Sequence, residues 1–236
     1  RTKRIVRKVV SAENAPTRAN YTPVDRVQLN PDAHMFKAES CRDPNGFEVL
    51  RRKIASNHIM LDFFHEDAPQ SRNTGLGICG RAVICPTHAF QYASERTQVD
   101  VRKAGNVPLG SFLICEIDRY DLPDQDLTVF ILPKHFQLFA DIRQHIATSD
   151  ISKVPLNSTI LYSLLRTQET IMHNTTTIEY LQCGGRMRYT NDGESIFLAK
   201  HFKYHIPTEV GDCGSLVYVL NKGCIRKIIG MHVAGS

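Results

Sequence analysis

From His58 onward the chain is cut into short apolar runs by turn residues, about one turn in every ten residues, and this rhythm limits the available folds most. The runs predict strands at 58–64, 78–85, 111–117 and 127–132, and a second group at 177–183, 185–190, 195–200, 216–220 and 224–231. Asn191-Asp192-Gly193 and Asn221-Lys222-Gly223 supply hairpin turns, because Asn and Gly accept the positive φ that tight connections need. A 236-residue chain built this way is mainly all-β, either one large unit or two small barrels. Two helices interrupt the pattern. Asp43-Pro44-Asn45-Gly46 opens the first, with Asn45 and Glu48 as a capping pair and Phe47, Leu50 and Ile54 on one face. Residues 136–146 read as the second, with Phe139, Ile142 and Ile146 on one side.

Gly75-Leu76-Gly77-Ile78-Cys79-Gly80 matches the spacing of a dinucleotide fingerprint, but it precedes a strand and opens no helix, so a turn or bulge is the expected reading. No run approaches the roughly 18 apolar residues of a membrane span, so no membrane insertion is expected. Seven cysteines, an odd number without Cys-x-x-Cys pairs, argue against a disulfide framework and a zinc ribbon. They favour a reducing, cytoplasmic setting. The net charge of +5 is uneven: residues 1–53 carry 12 Lys/Arg against 6 Asp/Glu, leaving the body near neutral. Pro16, Pro23 and Pro31 mark residues 1–40 as a basic extension or linker.

The chemistry gathers near the end of the chain. Gly211-Asp212-Cys213-Gly214 places a Cys between glycines that free the backbone to aim amides at an oxyanion. Gly230-Met231-His232-Val233-Ala234-Gly235 puts a His at a glycine-bounded strand end. A thiol is activated when a His draws off its proton. Among ten histidines, His88 ends the apolar strand Val83-Ile84-Cys85-Pro86 and faces a prospective cleft. Asp126 leads the strand Leu127-Thr128-Val129-Phe130 and can hold an imidazole tautomer; Asp121 and Asp124 are near enough to compete for that place. The order His88, Asp126, Cys213 matches the His…Asp…nucleophile order of chymotrypsin, not those of subtilisin or the α/β-hydrolases.

Pro86-Thr87-His88-Ala89, Asp126-Leu127-Thr128-Val129, Tyr204-x-x-Pro207-Thr208-x-x-Gly211-x-Cys213-Gly214 and Gly230-x-His232 together resemble the 3C-like cysteine proteases of picornavirus-like RNA viruses, over roughly residues 41–235. Asp43-Pro44-Asn45-Gly46-Phe47-Glu48-Val49 is similar to the start of that domain in the insect-infecting dicistroviruses.

The resemblance implies a chymotrypsin-like double β-barrel with an N-terminal helix and an inter-barrel helix. Residues 1–40 would be the extension, 41–135 the first barrel, 136–150 the inter-barrel helix and 151–236 the second barrel, ending short of the strand and helix with which relatives close it. It implies a general base at His88, its partner at Asp126 and a nucleophile at Cys213, with the amides of Gly211 and Cys213 as oxyanion hole. His232 and Thr208 would read a glutamine side chain before the scissile bond, and Tyr204 would hold His232 neutral. Ser215 departs from the family's second Gly. The implied substrate is a viral polyprotein cut in the host cytoplasm, with no cofactor and no metal. Phe139-Ala140-Asp141-Ile142-Arg143 is similar to a picornaviral segment that contacts viral RNA, making Asp141 and Arg143 candidate RNA-binding residues; a plain packing helix is the other reading. An RNA-binding domain that keeps the protease fold with little activity is the alternative function. Its mark would be a basic body surface, and here only the leader is basic.

Overall fold

The computed structural model describes residues 52–66, 70–122, 124–147, 159–164, 172–182, 187–191, 194–199, 201–208, 211–219 and 226–233. The extension over 1–40 and the capping pair Asn45/Glu48 lie outside them. Helix α1 (52–57) buries Ile54 and leads directly into the first strand.

Seven antiparallel strands form one sheet: β1 (His58–Phe64), β2 (Ser71–Cys79), β3 (Ala82–Pro86), β4 (Gln98–Lys103), β5 (Val107–Leu113), β6 (Arg119–Leu122) and β7 (Leu127–Ile131). Their order across the sheet is β5-β4-β1-β2-β3-β7-β6. The two outer strands are neighbours in sequence, linked by the short turn Ile114–Glu116. One face buries Ile59, Leu61, Phe63, Val83, Cys85, Val99, Val101 and Phe130, with Phe90 and Phe112 edge-on and tilted against Phe130. Alternation along β1 and β4 accounts for this, since residues two apart share a face.

The later residues form β8 (Thr159–Leu164), β9 (Met172–Gln182), β10 (Met187–Asn191), β11 (Glu194–Leu198), β12 (His201–Tyr204), β13 (Leu216–Val219) and β14 (Ile228–Met231). Five of them run in the order β12-β9-β8-β13-β14, and β10 pairs with β11 as a separate ribbon. Asn191 stands opposite Glu194, which agrees with a hairpin at Asp192-Gly193, although that loop lies outside the described residues, as does Asn221-Lys222-Gly223. A core shared between the two halves joins Ile54, Leu76 and Ile142 to Leu216, Tyr218 and Ile228.

Several expectations need correction. Residues 136–146 are not a helix. They form an extended strap with one short turn at Arg143–His145. The Phe139 amide donates to Gly80 O and the Ile142 amide to Ile78 O, so donors a helix would use internally go instead to the end of β2. Phe139 and Ile142 are buried as the spacing predicts, but by an irregular backbone. Buried Asn57 holds the strap to α1 and β2, donating to Gly77 O at 2.8 Å and Ala140 O at 2.7 Å.

The single run at 78–85 is two strands split by a turn at Gly80, whose φ is +54°. Of the fingerprint-like glycines, Gly75 and Gly77 lie within β2 and Gly80 in the turn after it, with a register shift between Gly77 and Cys79; the Phe139 ring covers Gly77 so closely that a Cβ would collide with it. The run at 111–117 begins earlier, as β5, and ends in the Ile114–Glu116 turn. Strands β4, β6 and β12 carry too few apolar residues to stand out in the sequence.

Candidate active site

His88 sits in the turn Thr87–Phe90 that follows β3, after Pro86 ends the strand. Asp126 ends the turn before β7, and pairing of Pro86 with Leu127 brings the two segments side by side. The His88 and Asp126 side chains are 3% and 2% exposed, and Nδ1 lies 2.6 Å from Oδ2. The carboxylate can only accept, so Nδ1 carries the proton. The His88 amide donates to Oδ1 at 3.1 Å, and the Thr87 amide to Asp126 O at 3.0 Å. Three bonds thus hold Asp126 in a backbone conformation, φ +49°, that non-glycine residues seldom adopt. Nε2 of His88 is buried with no hydrogen-bond partner among the described residues. Of the competing acids, Asp121 accepts from Thr128, and neither Asp121 nor Asp124 takes the imidazole proton.

Cys213 lies in the turn between β12 and β13 and is buried. Its carbonyl accepts from the Thr74 amide of β2 at 2.8 Å, tying the loop to the first sheet. Gly214, at φ +91°, lies so near that a Cβ would fall on the Thr74 carbonyl oxygen. The Cys213 thiol donates to Val233 O at 3.6 Å. The Gly214 amide donates to His232 O and the His232 amide to Ser215 O, each at 2.8 Å. The Cys213 and His232 segments are therefore laced together through their backbones. The amides of Gly214 and Ser215 are spent on His232 O and Asp212 O, while Gly211 takes φ +96°.

His232 is buried, and its Nδ1 lies 2.9 Å from the Tyr204 hydroxyl, so these two predicted neighbours meet. Thr208 is half-buried in the stretch leading to the Cys213 loop. Arg143 and Asp141 are exposed on the strap, and Arg143 forks onto the Asp141 carboxylate at 2.7–3.3 Å. Hydrogen bonds to its carboxylate from the Arg143 guanidinium, and then from the Arg143 backbone amide, hold the Asp141 pKa down to about 2.

Cys85, three residues before His88, is the contrasting thiol. Burial first, and then the negative charges of Asp126 and Asp121, push its pKa far up, so it stays protonated. No local pattern in the sequence marks the contacts of Thr74, Thr87 and Thr128, which depend on strand pairing. Among the described residues no group of His, Cys, Asp and Glu side chains could hold a metal ion. Nor is any described helix long and apolar enough to cross a membrane.

A mainly β fold with a buried His–Asp pair on the first sheet and a glycine-flanked Cys in the loop before β13 carries the residue types of a cysteine protease of the chymotrypsin-like kind. The chain belongs to the 3C cysteine protease (picornain 3C) family, whose model matches residues 48–236. It is 22% identical over 261 residues to the replicase polyprotein of Drosophila C virus, covering 95% of this chain and 15% of that protein. It is 28% identical over 166 residues to the genome polyprotein of human rhinovirus 16, covering 69% of this chain and 6% of that protein. The chain thus spans a small part of the polyproteins it matches. Its fold is similar to that of catalytically inactive tobacco etch virus protease complexed with substrate, with a TM-score of 0.56 at 18% identity, covering 83% of this chain and 76% of that one.

Proposed function

We propose that this cysteine protease processes a viral polyprotein in the host cytoplasm, cutting after Gln by acyl transfer from Cys213. The buried His88–Asp126 pair, with Nε2 of His88 left without a partner among the described residues, carries the reading. Nε2 takes the Cys213 thiol proton as sulfur attacks the scissile carbonyl carbon. The amides of Gly211 and Cys213 donate to the oxyanion. Collapse breaks the C–N bond, and the proton on Nε2 passes to the leaving amine. Water, deprotonated by the same nitrogen, then cleaves the thioester and frees the thiol. Asp126 keeps the Nδ1 proton in place and stabilises the imidazolium.

Specificity rests on His232 and Thr208. With the Tyr204 hydroxyl donating to Nδ1, the neutral ring carries its proton on Nε2 and donates to a substrate amide oxygen, with the Thr208 hydroxyl as second contact. The sheet order, whose outer strands are consecutive in the chain, supports closure of the first sheet into a barrel. Viral RNA is a second candidate partner through Arg143, whose charge is largely answered by Asp141.

Paired peptides that differ only in Gln, Glu or Ala before the scissile bond test the reading. The expected result is cleavage of the Gln peptide alone by the wild type and none by Cys213→Ala. Wild-type turnover by Cys213→Ala overturns it.

A further inference from the structure

We propose that β6 is a positioning element for His88, acting on both ends of the turn that carries it; this rests on the reading of His88 as the general base. At the first end, the Thr128 hydroxyl lies 2.6 Å from Asp121 Oδ1 and 3.0 Å from the Thr87 hydroxyl. Thr128 has one proton, and Asp121, an acceptor only, takes it. The Thr87 hydroxyl therefore donates to Thr128, and a chain of two bonds runs from Asp121 to the residue before His88. Thr128 is fully buried, so losing its partners leaves its hydroxyl unsatisfied, whereas Asp121 at the outer end of the chain of bonds is exposed. At the far end, the Arg119 guanidinium lies over the Phe90 ring, 4.9 Å from its centroid. Arg119 and Asp121 form an ion pair at 3.5 Å, so one strand carries both grips and couples them.

The consequence is geometric. The Thr87 amide already donates to Asp126 O, and the His88 amide to Asp126 Oδ1. Fixing Thr87 through its side chain and Phe90 through its ring face leaves the turn little freedom to rotate Nε2 away from an incoming thiol. Neither Asp121 nor Arg119 touches the imidazole. Both act through the turn, and Thr128 is the link.

The test compares Thr128→Val, which removes the hydroxyl and keeps the shape, with Thr128→Ser, which keeps the hydroxyl. The expected result is a fall of about tenfold in kcat for Thr128→Val with KM unchanged, and recovery in Thr128→Ser. The downfield resonance of the His88 Nδ1 proton should broaden in Thr128→Val and stay sharp in Thr128→Ser. Because Thr128→Val carries a folding risk, the more exposed Asp121→Asn and Arg119→Gln are measured beside it, each with an expected loss of about threefold in kcat at unchanged KM. Wild-type kcat and an unchanged Nδ1 resonance in folded variants, with His88→Ala inactive in the same assay, overturn the positioning role alone. Full activity in His88→Ala overturns the reading of His88 as base, and this proposal with it.

Discussion

His88 and Asp126 are joined twice, ring nitrogen to Oδ2 at 2.6 Å and backbone amide to Oδ1 at 3.1 Å, so both carboxylate oxygens are committed to one residue. That double attachment sets a ranking. In Asp126→Asn one oxygen still accepts, but the amide NH2 cannot accept the Nδ1 proton, which favours the wrong tautomer. The expected loss in kcat is about 10²-fold for Asp126→Asn and about 10³-fold or more for His88→Ala. Steady-state kinetics on one Gln peptide checks the order; equal losses would show that Asp126 does more than orient the ring.

The Cys213 loop depends on Gly214. Its positive φ and its approach to Thr74 O leave no room for a side chain. Gly214→Ala should cost about 2 kcal/mol of stability or more and abolish cleavage. Urea denaturation measures the first and peptide hydrolysis the second. Unchanged stability with full activity would mean that the loop does not need this conformation.

Tyr204→Phe removes the hydroxyl that meets His232 Nδ1 and nothing else. The ring is then free to place its proton on either nitrogen. The expected result is a fall of about tenfold in the preference for Gln over Glu peptides, with alkylation of Cys213 by iodoacetamide unaffected. Parallel loss of both would assign Tyr204 to the fold rather than to the pocket.

Acid should weaken the fold through His65 and His201. Burial lowers both pKa values, against smaller opposing backbone hydrogen bonds to Tyr92 and Leu198. The His65 ring also packs on Phe63 and meets Ser71 Oγ at 3.1 Å. The unfolded chain binds these protons more readily than the folded one. Their contribution is complete above about pH 6.5 and is lost as pH falls through the window below it. Urea midpoints at pH 7.5 and pH 5.5 should therefore differ, and His65→Gln with His201→Asn should narrow the gap. A midpoint that rises on acidification would reverse the sign and refute the assignment.

Asp141→Asn frees the Arg143 guanidinium and removes a negative charge beside it. If viral RNA binds this strap, affinity for a short RNA stem should rise in Asp141→Asn and fall in Arg143→Gln, each more at low salt. Fluorescence anisotropy reads both, and no change in either variant removes the strap as a contact surface.

The sequence by itself supplied the candidate chemistry-bearing residues, their chain order and the turns around them, while leaving Asp121 and Asp124 beside Asp126 for the acid. His88 follows a strand-ending proline, Asp126 leads a strand, and Cys213 stands among glycines: each is a local signal, legible because turn chemistry and period-two burial act over a few residues. Strand β1 was bounded correctly for the same reason. The tertiary structure alone decided where backbone donors go across the chain. The 136–146 segment carries a helical spacing of apolar residues, yet its amides are captured by Gly80 O and Ile78 O, carbonyls some sixty residues earlier that no local pattern announces. Only strand pairing placed Thr74 beneath Cys213 and Thr128 between Asp121 and Thr87. Periodicity records which side chains prefer burial; which partner satisfies each buried polar group is a property of the assembled sheets.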